Sequence, residues 1–369
     1  MSSKKTDELI NFIEGVTGDK YQKVEEYLGN GFVRLNISEA EKRQAKHDIR
    51  SVEDVVVELI RNSRDAGCKN IFIAFHKEKN DRNIVIVDDG CGIPSNLVPK
   101  IFEPRVTSKL DSIVTDKYGI HGRGMALYAI KNNTEEINVV MSAANRGSII
   151  KVNIDTTKLP ERKDQSTLPV IKIRHGEAHV TKGPHNILRL LVEFCIEHQE
   201  IKVFFGFPTQ VLATMYYLSQ NLLNSNKGGK AVFLENFEKG SLPLWQCLGC
   251  IGSVNVLAET SNDYYGLDVS KRNVNRIFSG DVEPLDDLYS ALFKKGKKRE
   301  IKLSTNANFN YPSNLVKYIQ KDDLDKLSCL VEEEFGKIGK KYFLYLKNPP
   351  KILREKNQIK IVLEVEGEE

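Results

Sequence analysis

Three short segments restrict the fold of this 369-residue chain more than any other feature: ELIRNSRDAG at 58–67, DDGCGI at 88–93 and GIHGRGMAL at 119–127 follow one another within about 70 residues. The first lies where Val52, Val55, Val56, Leu59 and Ile60 recur at helical spacing, with Ser51 and Asp54 placed as a capping pair and Gly67 as a stop. That spacing predicts a helix over 51–66. Two β-rich runs, 70–75 and 83–87, come next, and the second ends in the acidic and glycine cluster. A helix over 95–102, a polar loop over 103–118, an apolar helix over 125–131 and strands over 136–142 and 148–155 are the further expectations.

On the first helix Glu58, Asn62 and Asp65 stand at i, i+4 and i+7, a polar stripe opposite Val56 and Ile60. An amide oxygen suits a hard cation, and a carboxylate can orient or deprotonate water. For any single Glu-x-x-x-Asn, a solvated helix face is the commoner outcome. Asp88 ends an apolar strand, where Gly90 and Gly92 let the backbone approach a flat ligand while an acidic side chain accepts a hydrogen bond. A plain β-turn gives the same string. The amides of the run 119–124 and the dipole of the following helix suit phosphate oxygens. Its spacing, G-x-x-G-x-G with no strand directly before it, is not the dinucleotide fingerprint G-x-G-x-x-G.

As an ordered set the three segments resemble the nucleotide-binding motifs of the GHKL superfamily, which includes gyrase, Hsp90, histidine kinases, MutL and the topoisomerase VI B subunit. The resemblance covers about residues 45–155. It implies a two-layer α/β sandwich, the Bergerat fold, holding ATP and Mg2+ beneath a flexible lid. It further implies Asp88 on the adenine amino group, Gly90, Gly92 and Ile93 about the base, Asn62 as the magnesium ligand and Glu58 as general base. Gly119, His121, Gly122, Arg123, Gly124 and Met125 would surround the phosphates, with Asp65, Ser148 and the lid residue Lys109 as further nucleotide contacts. Histidine kinases typically carry asparagine at the place of Glu58, so the resemblance favours hydrolysis over phosphotransfer. Against that, Ile101-Phe102-Glu103-Pro104 followed by Thr107-Ser108-Lys109 resembles the start of a histidine-kinase lid, and Ser108-Lys109 also resembles topoisomerase VI B. His47 reads as an ordinary surface histidine.

The rest of the chain is expected as an α+β assembly. Residues 1–45 form an N-terminal arm, with helices over 7–16 and 20–28 and an extended piece over 31–37. The ATP-binding domain occupies 46–169 and ends in the Pro-, Thr- and Lys-rich stretch 156–169. A mostly helical middle region covers 170–300, and a small α/β domain covers 301–369, with a helix over 321–335 and strands over 341–346 and 358–365. Residues 267–280 resemble a helix-turn-helix, with a further helix over 285–293, at the position such a motif takes in topoisomerase VI B. Lys271, Arg272, Arg276 and the basic run 294–299 would then meet phosphates, although a helical hairpin with a solvated basic face has the same composition. Lys347, or else Lys351, resembles the lysine that transducer domains present to the γ-phosphate. Cys247 and Cys250 have the spacing of half a zinc site but no second pair, so buried thiols are expected.

A net charge of +4 from 54 basic and 50 acidic residues demands no polyanion partner. No apolar stretch reaches the roughly 18–20 residues of a membrane span, and the six cysteines read as reduced thiols, so a cytoplasmic protein is expected. The function this supports is an ATP-gated, dimerising clamp on DNA, like a shortened topoisomerase VI B subunit with a DNA-cleaving partner. Leu9, Ile10, Phe12, Ile13 and Val16 would pack across the dimer or in cis. The alternatives are a histidine-kinase-like signalling ATPase and an Hsp90-like protein-remodelling ATPase.

Overall fold

The computed structural model describes residues 24–108, 114–116, 119–121, 124–174, 177–222, 233–235, 237, 240–293, 321–342, 344–355 and 358–367. The expected helix over 7–16, its apolar residues and the basic run 294–299 lie outside them. The chain forms two compact units, 1–305 and 306–369.

The described chain opens with a hairpin, β1 (Val24–Gly29) and β2 (Phe32–Leu35), where a helix was expected over 20–28. Asn30 and Gly31 both take positive φ, 52° and 79°, the two-residue turn that suits the strand twist, and Tyr27, Leu28, Phe32 and Val33 around it are strand formers. Helix α1 (Glu39–Asp48) follows, opened by a Ser38/Glu41 capping box. Helix α2 (Val52–Asp65) has the cap expected of it: Ser51 Oγ accepts the Asp54 amide, the Asp54 side chain answers the backbone of Ser51, and Gly67 leaves at φ 74°.

Strands β3 (Asn70–Glu78) and β4 (Asp81–Asp88) pair antiparallel. No helix forms over 95–102; the segment is a chain of turns, because Pro99 has no amide to donate in mid-run. Short strands β5 (Val106–Thr107), β6 (Val114–Asp116) and β7 (Gly119–His121) come next, so the glycine run begins in a hairpin, β6 paired with β7, before helix α3 (Ala126–Asn133) starts. Strands β8 (Glu136–Ala143) and β9 (Gly147–Asp155), the hairpin β10 (Val170–Arg174) and β11 (Glu177–Lys182), helix α4 (Ile187–Glu197) and strand β12 (Lys202–Gly206) follow. Beyond them lie α5 (Pro208–Leu222), a 3-10 helix (Leu244–Cys250), α6 (Val254–Asp263), α7 (Lys271–Phe278) and α8 (Leu288–Phe293).

One mixed sheet organises this unit, in the order β12-β3-β4-β9-β8. Its edge strand β12 runs parallel to β3 and comes from beyond residue 169, inside the region expected to be mostly helical. The stretch 156–169 is packed onto α2: the Val52 amide donates to the Pro160 carbonyl, and Glu53 Oε1 accepts from the Arg162 amide and Gln165 Nε2. Alternate residues of the strands enter two different cores. Ile71, Ile73, Phe75, Ile84, Ile86 and Val152 meet α2, α3 and α4, whereas Phe72, Val85, Val87, Ile149 and Phe204 meet α5, the 3-10 helix, α6 and α7. The expected two-layer sandwich is therefore three layers deep, since both sheet faces are apolar and each needs cover.

In the second unit, α9 (Lys321–Gly339) precedes β13 (Leu344–Leu346), β14 (Lys351–Glu355), β15 (Gln358–Val362) and β16 (Val365–Gly367). The strand expected over 341–346 starts later, and the one over 358–365 divides into two, β15 pairing with β14 and β16 with β13.

Candidate functional site

A cavity of about 960 Å³ opens beside α2 and the sheet end of the first unit. Glu58, Asn62 and Asp65 line it from α2, Asp88, Gly92 and Ile93 from the end of β4 and its loop, Ser148 from β9, and Gly124 and Met125 from the approach to α3.

Asp88 forms the floor. It is 3% exposed, and burial pushes its carboxyl above the usual carboxylate range, opposed by hydrogen bonds from Ser148, Gly90 and Ser63. Its Oδ1 accepts the Gly90 amide at 2.9 Å, and its Oδ2 accepts the hydroxyls of Ser63 at 3.2 Å and Ser148 at 2.6 Å. A carboxylate has about four acceptor positions, so these three bonds leave one for a ligand donor. Ser148 stands opposite Asp88 in the β4–β9 register. Ser63, one residue beyond Asn62 on α2, is the part of this set that sequence reasoning did not assign.

The neighbouring Asp89 does different work. It accepts the Lys69 and Asn70 amides, the Asn70 side chain and Trp245 Nε1, so it braces the start of β3 from outside the cavity. Gly90 sits behind the floor, where a Cβ would lie 2.6 Å from that of Ala66. Gly92 has φ 70°, and a Cβ there would strike the Ala143 carbonyl. The Ile93 amide donates to Ser142 Oγ at 2.6 Å.

At the other end Glu58 accepts a 2.6 Å ion pair from Arg61, one helical turn along α2, and Asp65 accepts from Arg64 at 2.8 Å. Asn62 Nδ2 is buried without a hydrogen-bond partner. That unmet N–H suits an acceptor such as a phosphate oxygen, and the oxygen of the same amide is the atom that could take a hard cation. Gly124 has φ 68°, its carbonyl accepts the Arg105 amide at 2.9 Å, and a Cβ would lie 2.6 Å from the Val106 carbonyl. Gly119 and His121 belong to β7, while Lys109, Gly122 and Arg123 lie outside the described residues.

The segment 103–107 is held by the first hairpin and α1. β2 pairs with β5, Arg34 meets Glu103, and Arg105, buried and at φ 61°, is paired with Glu41 of α1. Arg105 thus has its own carboxylate.

Elsewhere, Cys247 and Cys250 are buried free thiols. Burial pushes the Cys247 thiol up to about 11, and Arg146 Nη2 lies 3.4 Å from its sulfur. Among the described residues no cluster of three or more His, Cys, Asp or Glu has the geometry of a metal site. Within the expected helix-turn-helix, α7 buries Val274 and Ile277 and exposes Lys271, Arg272 and Arg276. In the second unit Lys347 pairs with Glu366 at 2.6 Å and Lys351 with Glu364 at 3.0 Å. No helix among the described residues is long and apolar enough to cross a membrane.

Residues 49–183 match the family described as histidine kinase-, DNA gyrase B- and HSP90-like ATPase. The DNA mismatch repair protein MutL of Clostridium perfringens strain 13 is 32% identical over 157 residues, 35% of this chain and 23% of that protein. MutL of Thermus aquaticus is 40% identical over 82 residues, 22% of this chain and 15% of that protein. The sensor protein KdpD of Clostridium acetobutylicum is 27% identical over 150 residues, 39% of this chain and 16% of that protein. The chain spans less than a quarter of the length of these curated relatives.

Proposed function

We propose that this chain, whose residues 49–183 are a GHKL-type ATPase domain, binds Mg-ATP in the cavity beside α2, hydrolyses it slowly and uses it to gate a dimeric clamp on DNA. The observation that carries the nucleotide reading is Asp88, buried at the cavity and held by three intrachain donors that leave one acceptor position unused. An adenine amino group supplies the missing donor, while Gly92 and Ile93 close on the base. Glu58 takes the proton of the attacking water once its Arg61 pairing and the lid orient it in a site cleared of bulk solvent. Asn62 would hold the magnesium ion, which supplies charge neutralisation to the phosphates.

The DNA reading rests on the MutL relatives, which are named for mismatch repair, and on the exposed basic face of α7. They favour a DNA-repair role over the topoisomerase role, although a DNA-cleaving partner fits both. A histidine-kinase-like signalling ATPase is the second reading, favoured by the likeness to KdpD, but glutamate at position 58 suits water activation better than phosphotransfer.

Phosphate release measured with and without duplex DNA separates these readings. Turnover that rises with DNA, falls with added salt and is lost in Glu58→Ala while ATP stays bound is the expected result. Transfer of the γ-phosphate to histidine without phosphate release would replace this reading with the kinase one.

A further inference from the structure

The loop that ends β4 is gripped from behind by the layer on the far face of the sheet. The turn between β8 and β9 lies directly beneath this loop: the Asn145 amide donates to the Cys91 carbonyl at 2.7 Å, and Ser142 Oγ donates to the Gly147 carbonyl while accepting from Ile93. Contact is so close that a Cβ on Gly147 would strike the Asp88 carbonyl. That turn is in turn fastened by Arg146, which is 7% exposed. Its Nε donates to the Leu242 carbonyl at 2.6 Å, its Nη1 to the Phe237 carbonyl at 2.7 Å, and its own carbonyl accepts the Leu244 amide at 2.9 Å. The other end of the loop is held through Asp89, which receives Trp245 Nε1 at 3.3 Å while the indole packs on Phe72 with ring centroids 5.2 Å apart. Leu244 and Trp245 are consecutive, so the start of one 3-10 helix holds both flanks of the loop. Neither Arg146 nor Trp245 lines the cavity.

We infer that Arg146 and Trp245 are positioning residues for base recognition: the back layer sets the geometry in which Asp88 offers its open acceptor position, and thereby sets the preference for adenine over guanine. The inference rests on the nucleotide reading above. Guanine presents a carbonyl oxygen where adenine presents its amino group, so a correctly held carboxylate attracts one base and repels the other, and a loosened one discriminates less. A buried arginine with carbonyl acceptors fixes direction as well as position, which an apolar residue of similar volume does not.

The test is calorimetric titration of the full chain with ATP and with GTP, comparing wild type, Arg146→Met, Arg146→Lys and Trp245→Phe. Trp245→Phe keeps the ring on Phe72 and removes only the bond to Asp89, so it stays informative if Arg146→Met does not fold. The ATP-over-GTP preference is expected to fall about tenfold in Arg146→Met and about threefold in Trp245→Phe, with Arg146→Lys recovering part of the loss. Variants that melt lower yet keep the wild-type preference would overturn the inference and leave the nucleotide reading intact. A wild-type chain that binds neither nucleotide would overturn that reading, and this inference with it. The chain has a single tryptophan, so its fluorescence gives an independent record of the wild-type titration.

Discussion

Replacing Asp88 by asparagine is expected to weaken ATP binding and to strengthen the nucleotide-free fold. Asparagine nearly matches the carboxyl in shape. Its carbonyl keeps the Gly90 amide, and its NH₂ group, in the place of Oδ2, turns the Ser63 and Ser148 hydroxyls into acceptors, which hydroxyls can do without moving their oxygens. What disappears is the charge on the acceptor. A hydrogen bond to a charged group contributes about 1.5–3 kcal/mol and a neutral one about 0.5–1.5, so the loss is about 1–1.5 kcal/mol, or roughly tenfold in affinity. Stability moves the other way. Burial raises the folded-state pKa of Asp88 above its ordinary 3.8, so its contribution is fully present below that value and is lost as pH rises through the folded pKa. Asparagine avoids this loss. The variant is expected to melt above wild type at pH 7–8, with the gap closing as the pH falls toward 4. Calorimetry at pH 7.5 and thermal melts across pH 4–8 check both halves. ATP affinity within twofold of wild type removes Asp88 from the site, and a variant that melts several degrees lower at pH 8 refutes the burial argument.

Gly92→Ala forces a Cβ toward the Ala143 carbonyl at a positive φ, so it is expected to cost about 1–3 kcal/mol in denaturant melts from backbone strain alone and to lower ATP affinity as the loop shifts. Nucleotide-gated association predicts a monomer that becomes a dimer with a non-hydrolysable ATP analogue in light scattering. A mass indifferent to nucleotide refutes the clamp.

Contact range explains which parts of this molecule were legible in the sequence. The α2 cap, the polar stripe of Glu58, Asn62 and Asp65, and the acidic turn at 88–92 depend on neighbours a few residues away, and the structure has all three. The Asn30-Gly31 turn was as local, but the apolar residues around it read equally well as a short helix. The helix expected over 95–102 is broken by Pro99, a signal local to the sequence. Asp88's own partners were harder to see, because Ser148 reaches it only through strand register across 60 residues and Ser63 only through the packing of α2 on the sheet. Arg105 pairs with Glu41 across 64 residues, a contact that no local pattern shows.

The third layer also has a signal in the sequence. IFIAF at 71–75, IVIV at 84–87 and VFF at 203–205 are apolar without alternation, the mark of strands covered on both faces. A cut at residue 169, where the composition shifts, would strip Phe72, Val85, Val87 and Ile149 of their cover and remove β12 from the sheet. Each of those side chains contributes roughly 1.5–3 kcal/mol on burial, so the four lose about 6–12 kcal/mol, as much as a typical domain's whole stability of about 5–15. A fragment ending at 169 is therefore expected to be insoluble or molten, and one ending at 305 to fold and bind ATP. A 1–169 fragment with a cooperative melt and wild-type ATP affinity would show that the inner core suffices and that the back layer is an addition to a complete domain.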